Sequence, residues 1–122
     1  MFTIIDGLIG GENNGPLAPD PKPVGVLIGG EHLIAADLVA TRLMGFDPLK
    51  LRLYRELLEN EDFDLGLRRV KDIQVRSPEA SWRGCPTNLT SRFLNFRPHP
   101  GWTGAIEPDS TLQPVNHHEH CV

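Results

Sequence analysis

What this sequence lacks narrows it first. Its 122 residues contain two cysteines, Cys85 and Cys121, far apart and in no Cys-x-x-Cys or other metal-type spacing. A zinc ribbon or cysteine-held cluster is thereby excluded, and two reduced thiols are a plainer reading than a structural disulfide. No apolar run approaches the roughly 20 residues needed to cross a bilayer. The opening Met1-Phe2-Thr3-Ile4-Ile5-Asp6 has no basic leader ahead of a long apolar segment. A soluble, cytoplasmic protein with no membrane partner is expected. Twelve Lys and Arg against sixteen Asp and Glu give a net charge of -4, and the basic residues are scattered. Binding to a phosphate backbone needs them clustered, so no nucleic-acid partner is expected.

Two nucleotide motifs are also missing. Gly7-Leu8-Ile9-Gly10-Gly11 lacks dinucleotide spacing, and no long helix can start across Pro16 to Pro23. The same loop does not end in Gly-Lys-Ser or Gly-Lys-Thr, which excludes a P-loop. No nucleophile comes with a paired histidine, and neither His32 nor His99 has a partner that the sequence identifies.

What is present is Gly and Pro in excess, 12 and 11 residues, with 39% apolar residues. That composition predicts long loops around a modest core. The length suits one compact domain, placed at residues 1–110, followed by a flexible polar tail over 111–122. The fold class expected is α/β: a small mixed or parallel sheet, two main packed helices, and a Pro-rich irregular C-terminal third.

The β-branched run Phe2 to Ile5 predicts a strand that begins almost at residue 1, as though the chain were the C-terminal part of a larger architecture or needed a partner chain to cover its sheet. Asp6 to Pro23 predicts a long loop. Its glycines and Asn13-Asn14 tolerate positive φ, so the loop serves either as a specific connector or as a cradle for a small anionic ligand on Gly10, Gly11, Glu12, Asn13 and Asn14. Val24 to Ile28, apolar on both sides, predicts a central parallel strand. Gly29-Gly30-Glu31-His32 then turns into a helix over about Leu33 to Met44. Open α/β sheets place ligands at such strand-to-helix turns, which nominates Gly29 and Gly30 as ligand-binding.

Asp37 interrupts this apolar, Ala-rich helix. A buried carboxylate must meet a donor, a metal or water. The two readings are a wet helix edge beside Thr41 or Arg42, and a site carboxylate. Gly45 should end the helix, and Asp47-Pro48 should cap and start a second, to about Asn60, with Leu49, Leu53, Tyr54, Leu57 and Leu58 buried. Glu59 to Gly66 reads as an acidic turn, Val70 to Val75 as an edge strand, and Ala80 to Trp82 as a short helix. Asn88-Leu89-Thr90 has the form of a glycosylation acceptor, which is meaningless without export. Phe93 to Trp102 is aromatic and Pro-rich. Its rings lock a loop onto the core, or Arg97 and His99 meet an acidic ligand. His117-His118-Glu119-His120-Cys121 is rich in metal-binding atoms but lies in a tail with no scaffold to impose a geometry.

Taken together, Ile5-Asp6-Gly7, Gly10-Gly11-Glu12-Asn13-Asn14-Gly15-Pro16, Val24-Gly25-Val26, Ala35-Ala36-Asp37, Ala40 and Met44-Gly45-Phe46-Asp47-Pro48 resemble the C-terminal half of a family known as domain of unknown function 362. The resemblance covers residues 3–60 firmly and Phe96 to Ile106 more loosely. It implies a mainly prokaryotic family without a settled activity, whose members are usually longer, with another α/β portion before the equivalent of Phe2. Some members carry a ferredoxin-like cysteine segment. With no Cys-x-x-Cys, this chain is expected to hold no iron-sulfur cluster.

Two classes of function follow. In the first, Asp6 and Asp37, with Glu12, converge near Gly29-Gly30 and hold a divalent cation such as magnesium over an anionic substrate. Asp6 and Asp37 are then metal ligands, and Asp37 alternatively a catalytic general base. In the second, the chain is a structural or protein-interaction module, or a fragment of a larger protein, in which Asp6 caps the glycine loop and Asp37 satisfies backbone donors.

Overall fold

A computed structural model describes residues 1–59, 66–67, 69–87 and 94–109. The expected strand at the start is present and longer than its apolar core: β1 runs Thr3–Glu12, and β2 runs Asp20–Gly30. The two pair antiparallel, from Thr3 opposite Gly30 to Glu12 opposite Asp20. This corrects two expectations. The stretch Gly7 to Glu12 is strand and not loop, and Val24 to Ile28 belongs to a hairpin and not to a parallel sheet.

The hairpin is possible because the seven residues between the strands can turn tightly. Asn13 takes φ 66°, and Gly15-Pro16 is cis. Pro21 and Pro23 lie within β2, a placement open to them because the strand is at an edge, where a missing N–H need not break a ladder. No further strand joins either edge among the described residues. The register changes between Gly7 and Ile9: Gly7 pairs with Val26 and Ile9 with Pro23. Val24 and Gly25 therefore share the space opposite Leu8, a bulge that Gly25 accommodates at φ 72°.

α1 occupies Leu33–Met44, as the sequence predicts. His32 caps its start, Nδ1 accepting from the Ala35 N–H at 3.3 Å. Gly45, at φ 99°, ends it with its N–H on the last-turn carbonyls. Asp47 then accepts from the Leu49 N–H at 3.0 Å, and Pro48–Lys50 forms a 3-10 turn before α2, Arg52–Glu59. The expected second helix is thus a turn plus a short helix. Its apolar stripe is thinner than predicted: Tyr54 is buried, while Leu49 and Leu53 are exposed.

α1 lies against both strands of the hairpin. The core joins Leu38, Val39 and Leu43 of α1 to Tyr54, Leu67 and Ile73. Val70–Asp72 is a 3-10 turn, and Val75 makes only an isolated bridge to Gly84, so the predicted edge strand is not formed. Val70, Ile73 and Val75 serve the core without a sheet to join. Ala80–Trp82 is the short helical turn expected, in 3-10 form. Residues 94–109 are irregular apart from the turn Pro100–Trp102. Leu94 and Phe96 donate their N–H groups to the carbonyls of Leu43 and Met44 at the end of α1. The result is a small α/β fold with two packed helices and a Pro-containing, mostly irregular C-terminal region. Most of the acidic turn after Glu59, the Asn88 motif, Phe93 and the His-rich tail lie outside the described residues.

Candidate functional site

The residues nominated from sequence fall into four places. The first is the hairpin tip. Glu12 accepts from the Arg97 backbone N–H at 3.0 Å and from Arg97 Nε at 2.8 Å, and Lys22 Nζ lies at 3.3 Å. Arg97 also reaches Asp20 at 2.8 Å, and the Asn13 amide donates to the same Asp20 oxygen at 3.0 Å. Hydrogen bonding from the Arg97 backbone, then from its guanidinium, holds the Glu12 carboxyl down at about 2. Lys22 further donates to the Asn95 carbonyl at 2.9 Å and sits 5.1 Å from the centre of the Phe96 ring.

The backbone donors of the tip are also engaged. The Asn13 N–H meets the Arg97 carbonyl at 3.0 Å, the Gly15 N–H that of Asn13 at 2.9 Å, and the Ala18 N–H that of Asn14 at 3.1 Å. Gly10 has no room for a side chain, since a Cβ would lie 2.5 Å from the Phe96 ring. The nominated loop Gly10-Gly11-Glu12-Asn13-Asn14 is therefore the seat of the segment around Arg97. Arg97 does meet acidic groups, and they are the chain's own Glu12 and Asp20.

The second place is Asp37. It lies on α1 facing α2 and accepts from the Tyr54 hydroxyl in a short hydrogen bond. Burial, then the Asp37 carboxylate, pushes the Tyr54 phenol up to about 12. Asp37 thus has the donor its half-buried position demands, and the bond ties the two helices together.

The third is the turn Gly29-Gly30-Glu31-His32. It borders an open cleft of about 740 Å³ whose lining includes Gly29, Gly30, Glu31, His32, Asp72 and Arg76. The strand-to-helix turn is where the sequence put it, although the strand feeding it is antiparallel.

The fourth is Asp6, which lies within β1 and not at its end, exposed, accepting from the Leu8 N–H at 3.0 Å. Asp6, Glu12 and Asp37 thus stand on different elements with different partners. Among the described residues no group of three or more His, Cys, Asp or Glu is arranged to hold a metal ion.

A further surface was not nominated. The side of the hairpin away from α1 carries Ile4 (68% exposed), Leu8 (55%), Ile9 (70%) and Leu27 (65%), with Phe2 (64%) at its end. Register puts these together: Ile4 faces Gly29, Asp6 faces Leu27, and Ile9 faces Pro23. Phe2 lays its ring over Gly29. The signal available in the sequence was the pair of apolar faces in Val24 to Ile28, with too little chain to cover both. Among the described residues no helix is long and apolar enough to cross a membrane.

Neither a family model nor a solved structure matches this chain. A similar stretch occurs in the "Thylakoid-associated protein sll1697" of Synechocystis sp. (strain ATCC 27184 / PCC 6803 / Kazusa), 39% identical over 47 residues, which is 38% of this chain and 15% of that protein. The likeness is to a small segment of a longer protein.

Proposed function

We propose that this chain is a non-catalytic protein-interaction module that docks through the outer face of its β-hairpin. The observation that carries this reading is the contiguous set Ile4, Leu8, Ile9 and Leu27, each more than half exposed on one side of a two-stranded sheet. A contiguous exposed apolar patch marks a surface that meets something. Carried over from the thylakoid-associated Synechocystis protein, the same face would instead meet a thylakoid surface. Asp6 on this side, with no Lys or Arg in its exposed strand rows, favours protein over an anionic leaflet. The module is cytoplasmic in this reading and has no nucleic-acid partner.

The test is the double variant Ile4→Ser/Leu27→Ser, compared with wild type by binding of an apolar fluorescent dye to the native state and by chemical unfolding. Substitutions at exposed positions cost little, roughly 0.5 kcal/mol or less each. The variant should keep its cooperative unfolding and lose most of the dye signal. Equal dye binding by both proteins would refute the reading.

A second reading, a small-ligand or divalent-cation site, is favoured by the cleft beside Gly29 and Gly30. In it Asp37 and Asp6 bind the cation, Asp37 alternatively acts as the base, and an anionic ligand rests on the glycine turn. Thermal shift with magnesium, manganese or calcium on wild type and Asp37→Asn separates the readings. A shift present in wild type and absent in the variant supports the cation site; no shift, or one retained in the variant, removes Asp37 from it.

A further inference from the structure

The geometry points to a single amphipathic helix of a partner polypeptide as the occupant of the outer hairpin face, carrying a Lys or Arg that meets Asp6. The inference rests on the interaction-module reading above and adds the chemistry of the partner.

Shape is the first argument. Strands of 10 and 11 residues make a face about 33 Å long, and two strands about 4.8 Å apart make it on the order of 10 Å wide. An α-helix is about 10–12 Å in diameter with a rise of about 1.5 Å per residue, so one helix of roughly 20 residues covers the face lengthwise. α1 already packs on the opposite side, against both strands. A strand added at an edge would extend the sheet and leave Ile4, Ile9 and Leu27 as exposed as before.

Charge is the second argument. Asp6 is the one charged residue in the outward rows of the two strands, between Ile4 and Leu8 and opposite Leu27. Covering this carboxylate with an apolar surface would remove water from it, and its hydrogen bond from the Leu8 N–H does not replace a counter-charge. A second copy of this chain would bring another Asp6 and no basic side chain in its own outward rows, so pairing of like faces buries two carboxylates without a cation. An anionic bilayer repels the same group. A foreign helix with one basic residue near its middle satisfies both the apolar stripe and the carboxylate.

The experiment is selection from a displayed library of 22-residue amphipathic helices against the full chain. The apolar-face positions are kept as Leu, Ile or Ala, except for one central position open to Lys, Arg, Gln, Leu, Asp and Glu. Selection on wild type should enrich Lys or Arg there, and selection on Asp6→Lys should enrich Asp or Glu. The Lys-bearing peptide selected on wild type should bind Asp6→Lys at least about tenfold more weakly, as opposed charges become like ones, and should lose binding to Ile4→Ser/Leu27→Ser. Circular dichroism and cooperative unfolding confirm that each variant is folded.

Failure to enrich any peptide, enrichment indifferent to Asp6→Lys, or selected peptides that bind Ile4→Ser/Leu27→Ser as tightly as wild type would each overturn the inference. So would co-sedimentation with phosphatidylcholine/phosphatidylglycerol vesicles, or dimerisation in light scattering that Ile4→Ser/Leu27→Ser abolishes. In these last two cases, and where binders show no preference for a base, the outer face still docks something and only the helix inference falls. Equal dye binding by wild type and Ile4→Ser/Leu27→Ser removes the interaction reading itself.

Discussion

Tyr54 should make stability fall with alkaline pH in a window that its removal abolishes. It is the single tyrosine of the chain, 7% exposed in the core, with its hydroxyl donated to Asp37. Burial first, and the Asp37 carboxylate second, raise its pKa from 10.0 to about 12. The folded state therefore holds the phenolic proton more tightly than the unfolded state. The stabilising contribution is complete below pH 10 and is lost progressively as pH rises through 12. A displacement of this size is worth about 2–3 kcal/mol, a large share of the roughly 5–15 kcal/mol that holds a small domain together. The assay is chemical unfolding at a series of alkaline pH values for wild type and Tyr54→Phe. Lysine and cysteine ionisation affects both proteins alike and cancels in the difference. Across the window the difference should move by about 2–3 kcal/mol in favour of the variant, so that the neutral-pH advantage of wild type closes and reverses. At neutral pH the variant should be weaker by about 1–2 kcal/mol, since a hydrogen bond to a charged acceptor is lost and half-buried Asp37 recovers part of it from water. Tyrosinate absorbance reports the same group without interference from a second tyrosine. A native-state inflection near pH 10, or a stability gap constant with pH, would refute the reasoning.

The hairpin tip predicts the opposite sign at acid pH. Glu12, lowered from 4.5 to about 2 by Arg97, contributes stability that is present above pH 4.5 and lost as pH falls through 2, so Glu12→Gln should be less stable at neutral pH and flatter on acidification, as followed by circular dichroism. Gly10→Ala should cost about 1–3 kcal/mol, because its Cβ would fall 2.5 Å from the Phe96 ring and displace it; unchanged unfolding would show that the ring moves freely. Gly45→Ala forces an alanine to φ 99° at the α1 terminus and should cost about 1–2 kcal/mol. Gly25→Ala shares the positive-φ penalty at φ 72° with open space around it, so its loss should come from backbone strain alone, about 1 kcal/mol.

Where the physics is local, the sequence carried it. α1 begins at Leu33 and ends at Met44 as the apolar spacing and Gly45 require, and Asp47-Pro48 caps the next turn. Pairing between distant segments was less legible. Gly7, Gly10 and Gly11 have the composition of a loop, and two prolines within Asp20–Gly30 argue against a strand, yet an antiparallel partner on one side only tolerates both. Asp37 shows the same division. The demand for a donor is legible in an acid within an apolar helix, but the donor, Tyr54, lies 17 residues on, where the pattern shows only an apolar stripe. Arg97 is engaged by the chain's own Glu12, 85 residues earlier, and not by a ligand, a pairing that has no local signature.

The reading of Val24 to Ile28 as a central parallel strand fails on both counts: the strand is antiparallel, in a two-stranded sheet, and its Leu27 is 65% exposed. Val24, Val26 and Ile28 face inward beside α1, while Leu27 points away with Ile4, Leu8 and Ile9. A two-sheeted or solvent-facing hairpin would alternate apolar with polar; one that is apolar on both faces has the pattern of a middle layer. Here only one of its two faces is covered by a described element. Removing water from the roughly two thirds of each of the four outward aliphatic side chains that is still exposed is worth on the order of 4–8 kcal/mol gross, at about 1.5–3 kcal/mol for each full burial. That is comparable with the whole stability of a small domain. A substitution series on this face therefore reads differently in the two settings. In the isolated chain Ile4→Ser and Leu27→Ser change solvation of an already wet surface, and in the docked chain they remove core contacts. The same side chains are inert or decisive according to whether the second layer is in place, and this is the property expected of an interface.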